Sequence, residues 1–236
     1  MKKILSLLIT LSTIGFTSEY YAKLNPINTY NVKASVSGKV FYVNDTVESK
    51  NANNDLIIKI DSKIDTVSLK QSKIKLANLN ESLQIQKDIL KSYQKVSSKS
   101  KYDKDNQKIV ILNIASNISD LETSIATLED QIEKKTLIEK DNYIYDIAVE
   151  VGDYVTPGVL LYSAMDLSAG KLEIYLPINS IKDIKDKTIF LDGTKTDLKI
   201  SKLYDISDAT HISSYKCEII VPSPKQFSNL VKIEFK

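Results

Sequence analysis

The sequence predicts an α+β protein in which an antiparallel α-helical coiled-coil hairpin is inserted in a β-sandwich and followed by a small β-barrel. Three observations carry this expectation. No glycine or proline stands between Lys39 and Val151. Within that stretch leucines, and then isoleucines, recur every seven residues. On either side lie segments in which β-branched and polar residues alternate, broken by glycine, proline and asparagine.

In the first helical segment Leu69, Leu76, Leu83 and Leu90 stand seven apart, with Ser72, Leu79, Gln86 and Tyr93 three positions after each. In the second, Ile111, Ile118, Ile125 and Ile132 do the same, followed by Ile114, Leu121, Leu128 and Lys135. A seven-residue repeat holds apolar side chains on one narrow stripe of a helix, and that stripe leaves water only by meeting a second helix. Ser62 with Asp65 three residues on has the form of a capping box at the first start, and Asp105 or Asn106 is placed to cap the second. The polar segment between them, KVSSKSKYDKDN, is short, so the hairpin over 63–141 doubles back on itself. Matching the heptads puts the fold-back point at Tyr102, or near Ser98 after a slide of one heptad. Arms of about 35 residues at ~1.5 Å per residue reach roughly 50 Å. Burial of each seam Leu or Ile is worth ~1.5 to 3 kcal/mol gross, against the ordering entropy of two long helices, so the hairpin is expected to need a held base.

That base is expected from residues 30–62 and 143–167. VKASVSGKVFYVNDTVESKNANNDLIIKID reads as several short strands, with Gly38 in its first turn. In IYDIAVEVGDYVTPGVLLYSAMD, Gly152 with Asp153 marks one turn and Pro157 with Gly158 another. Each half is too small to bury a core alone, so the two are expected to pair into one sandwich. Residues 170–236 hold five or six short strand patterns with turns at regular spacing, which suits a small β-barrel.

The N-terminal residues MKKILSLLITLSTIGF put two lysines ahead of a short apolar run, the pattern of a signal peptide, expected over 1–22. The segment implies export, with an uncleaved inner-membrane anchor as the alternative. All 32 basic residues are lysine, against 30 acidic residues, and no dense basic run occurs. Without the planar guanidinium that grips phosphate and reads guanine edges, no nucleic-acid partner is expected. A single cysteine, Cys217, and a single histidine, His211, supply neither a disulfide nor a metal set. No nucleophile stands beside a base and no glycine-rich phosphate loop occurs, so no catalytic, cofactor-binding or metal residue is assigned. Glu129 with Asp130 reads as a solvated helix face.

Over residues 30 to 236 the sequence resembles the HlyD-like membrane fusion proteins, the periplasmic adaptors of efflux and secretion pumps. In that family two lipoyl-like half motifs flank the hairpin. Gly152 and Gly158 match the glycines of the second half, with Val155 and Leu161 between and after them. Gly38 and Val40 match the opening of the first half, whereas Asn44 and Asp45 stand where a second glycine is usual. At the hairpin tip, pump adaptors often carry an Arg, a Leu four residues later and a Ser seven beyond that, used to dock the outer-membrane channel. This chain has Gln86, Leu90 and Ser97. Either Gln86 makes a weaker neutral contact in place of the Arg, or neighbouring Lys87 supplies the charge. Leu90 reads equally as the last seam leucine, and Ser97 as a solvated serine.

The resemblance implies a non-enzymatic periplasmic adaptor without cofactor, linking an inner-membrane transporter of RND or ABC type to a TolC-like outer-membrane channel for transmembrane efflux or secretion. It also implies a homo-oligomeric ring and a short helix such as INSIKDIKD in the barrel; the membrane-proximal domain that many pump adaptors add after the barrel is not expected here. Two other readings stay open. One is a periplasmic coiled-coil scaffold or tether without a transport role. The other is a lipoyl or biotinyl carrier, against which stands the lack of a lysine in the usual exposed context between the halves.

Overall fold

The computed structural model describes residues 18–182 and 184–236. Most of the signal peptide expected over 1–22 lies outside the described residues. The first strands are β1 (Glu19–Lys23), β2 (Asn25–Lys33), β3 (Gly38–Val43) and β4 (Asp55–Ile60). Two helices follow, α1 (Lys63–Lys95) and α2 (Lys101–Lys134), and then β5 (Thr136–Glu139), β6 (Tyr143–Ile147) and β7 (Tyr154–Val155). The chain ends with β8 (Leu160–Pro177), β9 (Ile189–Leu191), β10 (Thr194–Lys195), β11 (Ile200–Leu203), β12 (Ser214–Pro222) and β13 (Leu230–Phe235). It forms two compact units, one of Tyr30–Ala164 and the other of the described part of Met1–Thr29 with Met165–Lys236. Strands β2 and β8 carry the chain from one unit to the other.

In the unit of Tyr30–Ala164, α1 and α2 have 33 and 34 residues, about 50 Å each at ~1.5 Å per residue. Partners across them run in opposite directions: Asp65 meets Lys135, Lys73 meets Glu129 and Gln86 meets Gln107. The helices are therefore antiparallel. Leu69, Leu76, Leu83, Leu90, Ile111 and Ile132 are half-buried, and Ile118 and Ile125 are buried. The turn between the helices is only Val96–Ser100, centred on Ser98, the position that the one-heptad slide places there.

Both expected caps are corrected. Ser62 is the residue before α1, but its side chain makes no capping bond; Asp61 Oδ1 accepts from the Lys63 amide at 2.9 Å instead. Asp65, the acidic member of the expected box, is engaged by Lys135. The second helix starts before Asp105 and Asn106, because Ser100 and Asp103 form the box there. Ser100 Oγ accepts from the Asp103 amide at 3.1 Å, and the Asp103 carboxylate accepts from the Ser100 amide at 3.2 Å. Two orphan donors are satisfied reciprocally, which lets the helix begin nearer the turn.

The base of the helices is a four-stranded sheet of order β5-β4-β3-β7. Strand β4 runs into α1 and α2 runs into β5, while β4 and β5 are antiparallel neighbours, Lys59 opposite Thr136. Sheet pairing alone thus brings the two helix ends together. Lys135 closes the junction: its carbonyl accepts from the Ile60 amide at 2.8 Å, and its Nζ donates to the Asp61 carbonyl at 2.9 Å and to the Asp65 carboxylate. Beneath it, Val40, Ile57, Ile58 and Ile60 pack in one core with Ile144, Val149, Val155 and Leu161, so both flanking segments contribute.

In the other unit, a sheet of order β1-β13-β9-β10 and the strands β11-β12-β8 share one core that includes Ala22, Leu24, Leu172, Ile174, Cys217, Ile219, Ile233 and Phe235. The two sets of strands face each other across that core. The helix expected in INSIKDIKD is two short 3-10 turns, Ile178–Ser180 and Ile184–Asp186. Strand β1, which the sequence reading leaves to the leader, is a full edge strand here.

Lys135→Met is expected to destabilise the chain by about 1 to 3 kcal/mol, since it strands the largely buried Asp65 carboxylate. Asp65→Asn is expected to cost less, and a double-mutant cycle in urea should return a coupling of at least about 0.5 kcal/mol; additive effects would show the pair to be idle.

Candidate functional site

The candidate site is the turn end of the helix pair. Segment 86–108 carries seven lysines and three aspartates, a net charge of +4. All three aspartates are engaged. Asp88 accepts from Lys91 at 2.9 Å and from Gln84 at 3.0 Å, and those two bonds hold its carboxyl below the usual range. Asp103 is lowered by the hydroxyl and amide of Ser100, and Asp105 by the Lys108 ammonium at 3.0 Å. Among the described residues, Lys87, Lys95, Lys99, Lys101 and Lys104 are in no ion pair. Lys99 Nζ lies 4.4 Å above the Tyr93 ring, close enough for a cation–π contact. Beside them the apolar side chains of Val96 and Tyr102 are 46% and 74% exposed. The end of the hairpin is thus a basic surface with two apolar projections.

The three residues singled out in the sequence meet different fates. Ser97 is exposed, in the turn itself. Leu90 is half-buried on α1, at the last seam position. Gln86 is half-buried and turned inward: Gln107 Nε2 donates to its side-chain oxygen at 2.7 Å and to its backbone carbonyl at 3.0 Å. Both oxygens of Gln86 thus accept within the chain, while neighbouring Lys87 is exposed. The sequence carried a signal for this pair, because Gln107 stands four residues before the seam position Ile111, on the same helix face.

The glycines sit where the two flanking segments join. Gly152 (φ +108°) and Gly158 (φ +94°) take the third position of tight turns closed by Asp153 N to Glu150 O at 3.2 Å and Val159 N to Thr156 O at 3.1 Å. A positive φ there is strained for any side chain, which is why each is glycine. Their amides donate to Val40 O at 2.9 Å and Ala34 O at 2.8 Å, so the second segment clasps the first. Gly38 pairs with Val155, and a Cβ on it would stand 2.5 Å from Ile60 Cγ2. Where the resemblance leads one to look for a glycine after Val40, Asn44 precedes a 3-10 turn, Asp45–Val47, and Ser49 adopts the left-handed conformation at φ +62°.

His211 and Cys217 lie in the other unit. His211 stacks on Tyr175 at 3.4 Å between ring centres, with Nδ1 3.0 Å from the Asp208 carboxylate. Cys217 is buried, and burial followed by the charge of Glu218 pushes its thiol up to about 12. Among the described residues no group of three or more His, Cys, Asp or Glu is placed to hold a metal ion, and no helix is long and apolar enough to cross a membrane.

No protein-family model matches the sequence, and no curated protein matches it. Solved structures do. MacA from Actinobacillus actinomycetemcomitans shares 20% identity at a TM-score of 0.75, over 93% of this chain and 78% of that one. The membrane fusion protein Spr0693 from Streptococcus pneumoniae R6 shares 10% identity at a TM-score of 0.71, over 93% and 98%. The fold is that of the membrane fusion proteins. A chimera of MacA containing the α-hairpin domain of Pseudomonas aeruginosa MexA has the same membrane fusion fold, at 18% identity and a TM-score of 0.69, over 93% of this chain and 80% of that one.

Two outcomes are expected at these residues. Gln86→Leu should cost about 1 kcal/mol in urea denaturation, and Gln107→Leu made with it should recover most of that loss, since replacing both partners removes the stranded amide. Cys217 should resist a thiol reagent at pH 8 in the native protein and react fully once unfolded, because its thiolate is suppressed by burial.

Proposed function

We propose that the chain is a non-enzymatic periplasmic adaptor, joining an inner-membrane transporter of RND or ABC type to a TolC-like outer-membrane channel in an efflux or secretion pump. The observation that carries this reading is the membrane fusion protein fold extending over 93% of the chain. In this reading 30–62 and 143–167 are the halves of a lipoyl-like sandwich, 63–141 is a coiled-coil hairpin inserted between them, and 170–236 is the barrel domain. Copies of the chain assemble as a ring, and the transporter supplies the energy.

The helix pair is the arm that reaches the channel, and its turn end docks. Leu90 and Ser97 contribute to that contact. Gln86, whose oxygens accept from Gln107, contributes through its side-chain N–H donors, and the charge of the contact comes from Lys87 with Lys95, Lys99 and Lys101 around the turn. Ammonium groups act as hydrated point charges without the bidentate fork of Arg, so the contact is weaker per residue and sensitive to salt.

Leu90→Asp is expected to abolish export while leaving the adaptor soluble, with an unchanged circular dichroism spectrum. Unchanged export in that variant would remove the turn from the mechanism. Affinity isolation of the chain from cross-linked cell envelopes is expected to recover both a channel and a transporter. Recovery of neither would make the scaffold the better reading.

A further inference from the structure

Residues Glu19–Lys23 form β1, whose fit to its unit is complete. Every residue has a register partner in β13, from Glu19 opposite Glu234 to Lys23 opposite Leu230. Immediately after it, the Leu24 amide donates to Asn229 O at 2.9 Å, and Leu24 O accepts from Ser228 N at 2.8 Å. Side chains repeat the pattern. Ala22 and Leu24 are each 5% exposed in the core, Tyr20 packs edge-on against Phe235 at 5.9 Å, and Lys232 Nζ bonds the Glu19 carboxylate at 2.6 Å. Without β1 the apolar strand β13, with Val231, Ile233 and Phe235, becomes an open sheet edge, the kind of edge that pairs with other chains. A leader ending at Ala22, the boundary expected from sequence, removes four of the five residues of this strand.

We propose that β1 belongs to the mature chain and that the leader is cut ahead of Glu19, at Gly15–Phe16 or Thr17–Ser18. The inference rests on the export reading of the chain. A signal peptidase accepts small side chains at the last position before the cut and at the third before it. Thr13 and Gly15 meet that requirement for the first bond, Gly15 and Thr17 for the second, whereas a cut after Ala22 puts Tyr20 at the third position. The cut is hydrolysis of one peptide bond. Water supplies the hydroxyl to the carbonyl carbon of Gly15 or Thr17, and the nitrogen of Phe16 or Ser18 leaves with a proton as the new amine. Gly15 serves both bonds.

The test is the N-terminus of the full-length chain isolated from cell envelopes, read by intact mass and by labelling of the terminal amine. A start at Phe16 or Ser18 is expected. Any other start after Met1 overturns the inference and leaves export standing, and so does an envelope-bound chain that keeps Met1. A chain found only in the cytosol with Met1 in place overturns export itself. Gly15→Phe puts a bulky side chain at the critical position of both bonds and is expected to accumulate the unprocessed chain. Unchanged processing of that variant overturns the assignment of the cut.

Discussion

The antiparallel pairing of β4 with β5, closed by Lys135, is the constraint on which the helical part of this protein depends. Two isolated helices of 33 and 34 residues, with most seam side chains only half-buried, have little to hold them together. Hydrogen-bonding β4 beside β5 places the start of α1 next to the end of α2 independently of any seam contact. Lys135 then ties Ile60, Asp61 and Asp65 into one knot, with a side chain only 11% exposed. From there the seam closes toward the turn, through the buried Ile125 and Ile118, to the Gln86–Gln107 bond. Polar pairs at a half-buried seam fix axial alignment better than interchangeable leucines do, because a slide leaves their amides without partners.

The second unit follows a different logic. Strand β12 alternates Cys217 and Ile219 into the core with Lys216 and Glu218 on the outer face. Burial pushes the Glu218 carboxyl up, but bonds from Tyr204 and Lys216 outweigh it and hold it below the usual range. The Lys216 ammonium is raised by Glu173 first and Glu218 second, against its own desolvation. A face of this kind excludes wrong registers: a shift of one residue turns the carboxylate into the core and an isoleucine onto the face of charged groups.

Helix content, helix direction and the apolar stripe were legible because they depend on neighbours three, four and seven residues apart, which the heptads of Leu69 to Leu90 and Ile111 to Ile132 display. The turns at Gly152 and Gly158 were legible for a similar reason, since a required positive φ leaves a local mark in the choice of glycine. The caps were not. Ser62 with Asp65 and Ser100 with Asp103 have the same spacing, yet only the second pair forms a box, because Asp65 is engaged by Lys135, the residue that follows α2. Of the candidate tip residues, exposure of Ser97 followed from its polar surroundings. The inward turn of Gln86 required a partner twenty-one positions away.

The sequence by itself determined the two long helices, which stripe of each is apolar and where glycine turns the backbone, all properties of short-range periodicity and allowed φ. Tertiary structure decided what joins what: Lys135 with Asp65, Gln86 with Gln107, Tyr20 with Phe235. Those pairings come from the path of the chain through space. Local pattern places a residue on a helix face but does not choose its partner, because the free energy of a contact between distant residues depends on the sheet or helix that brings them together.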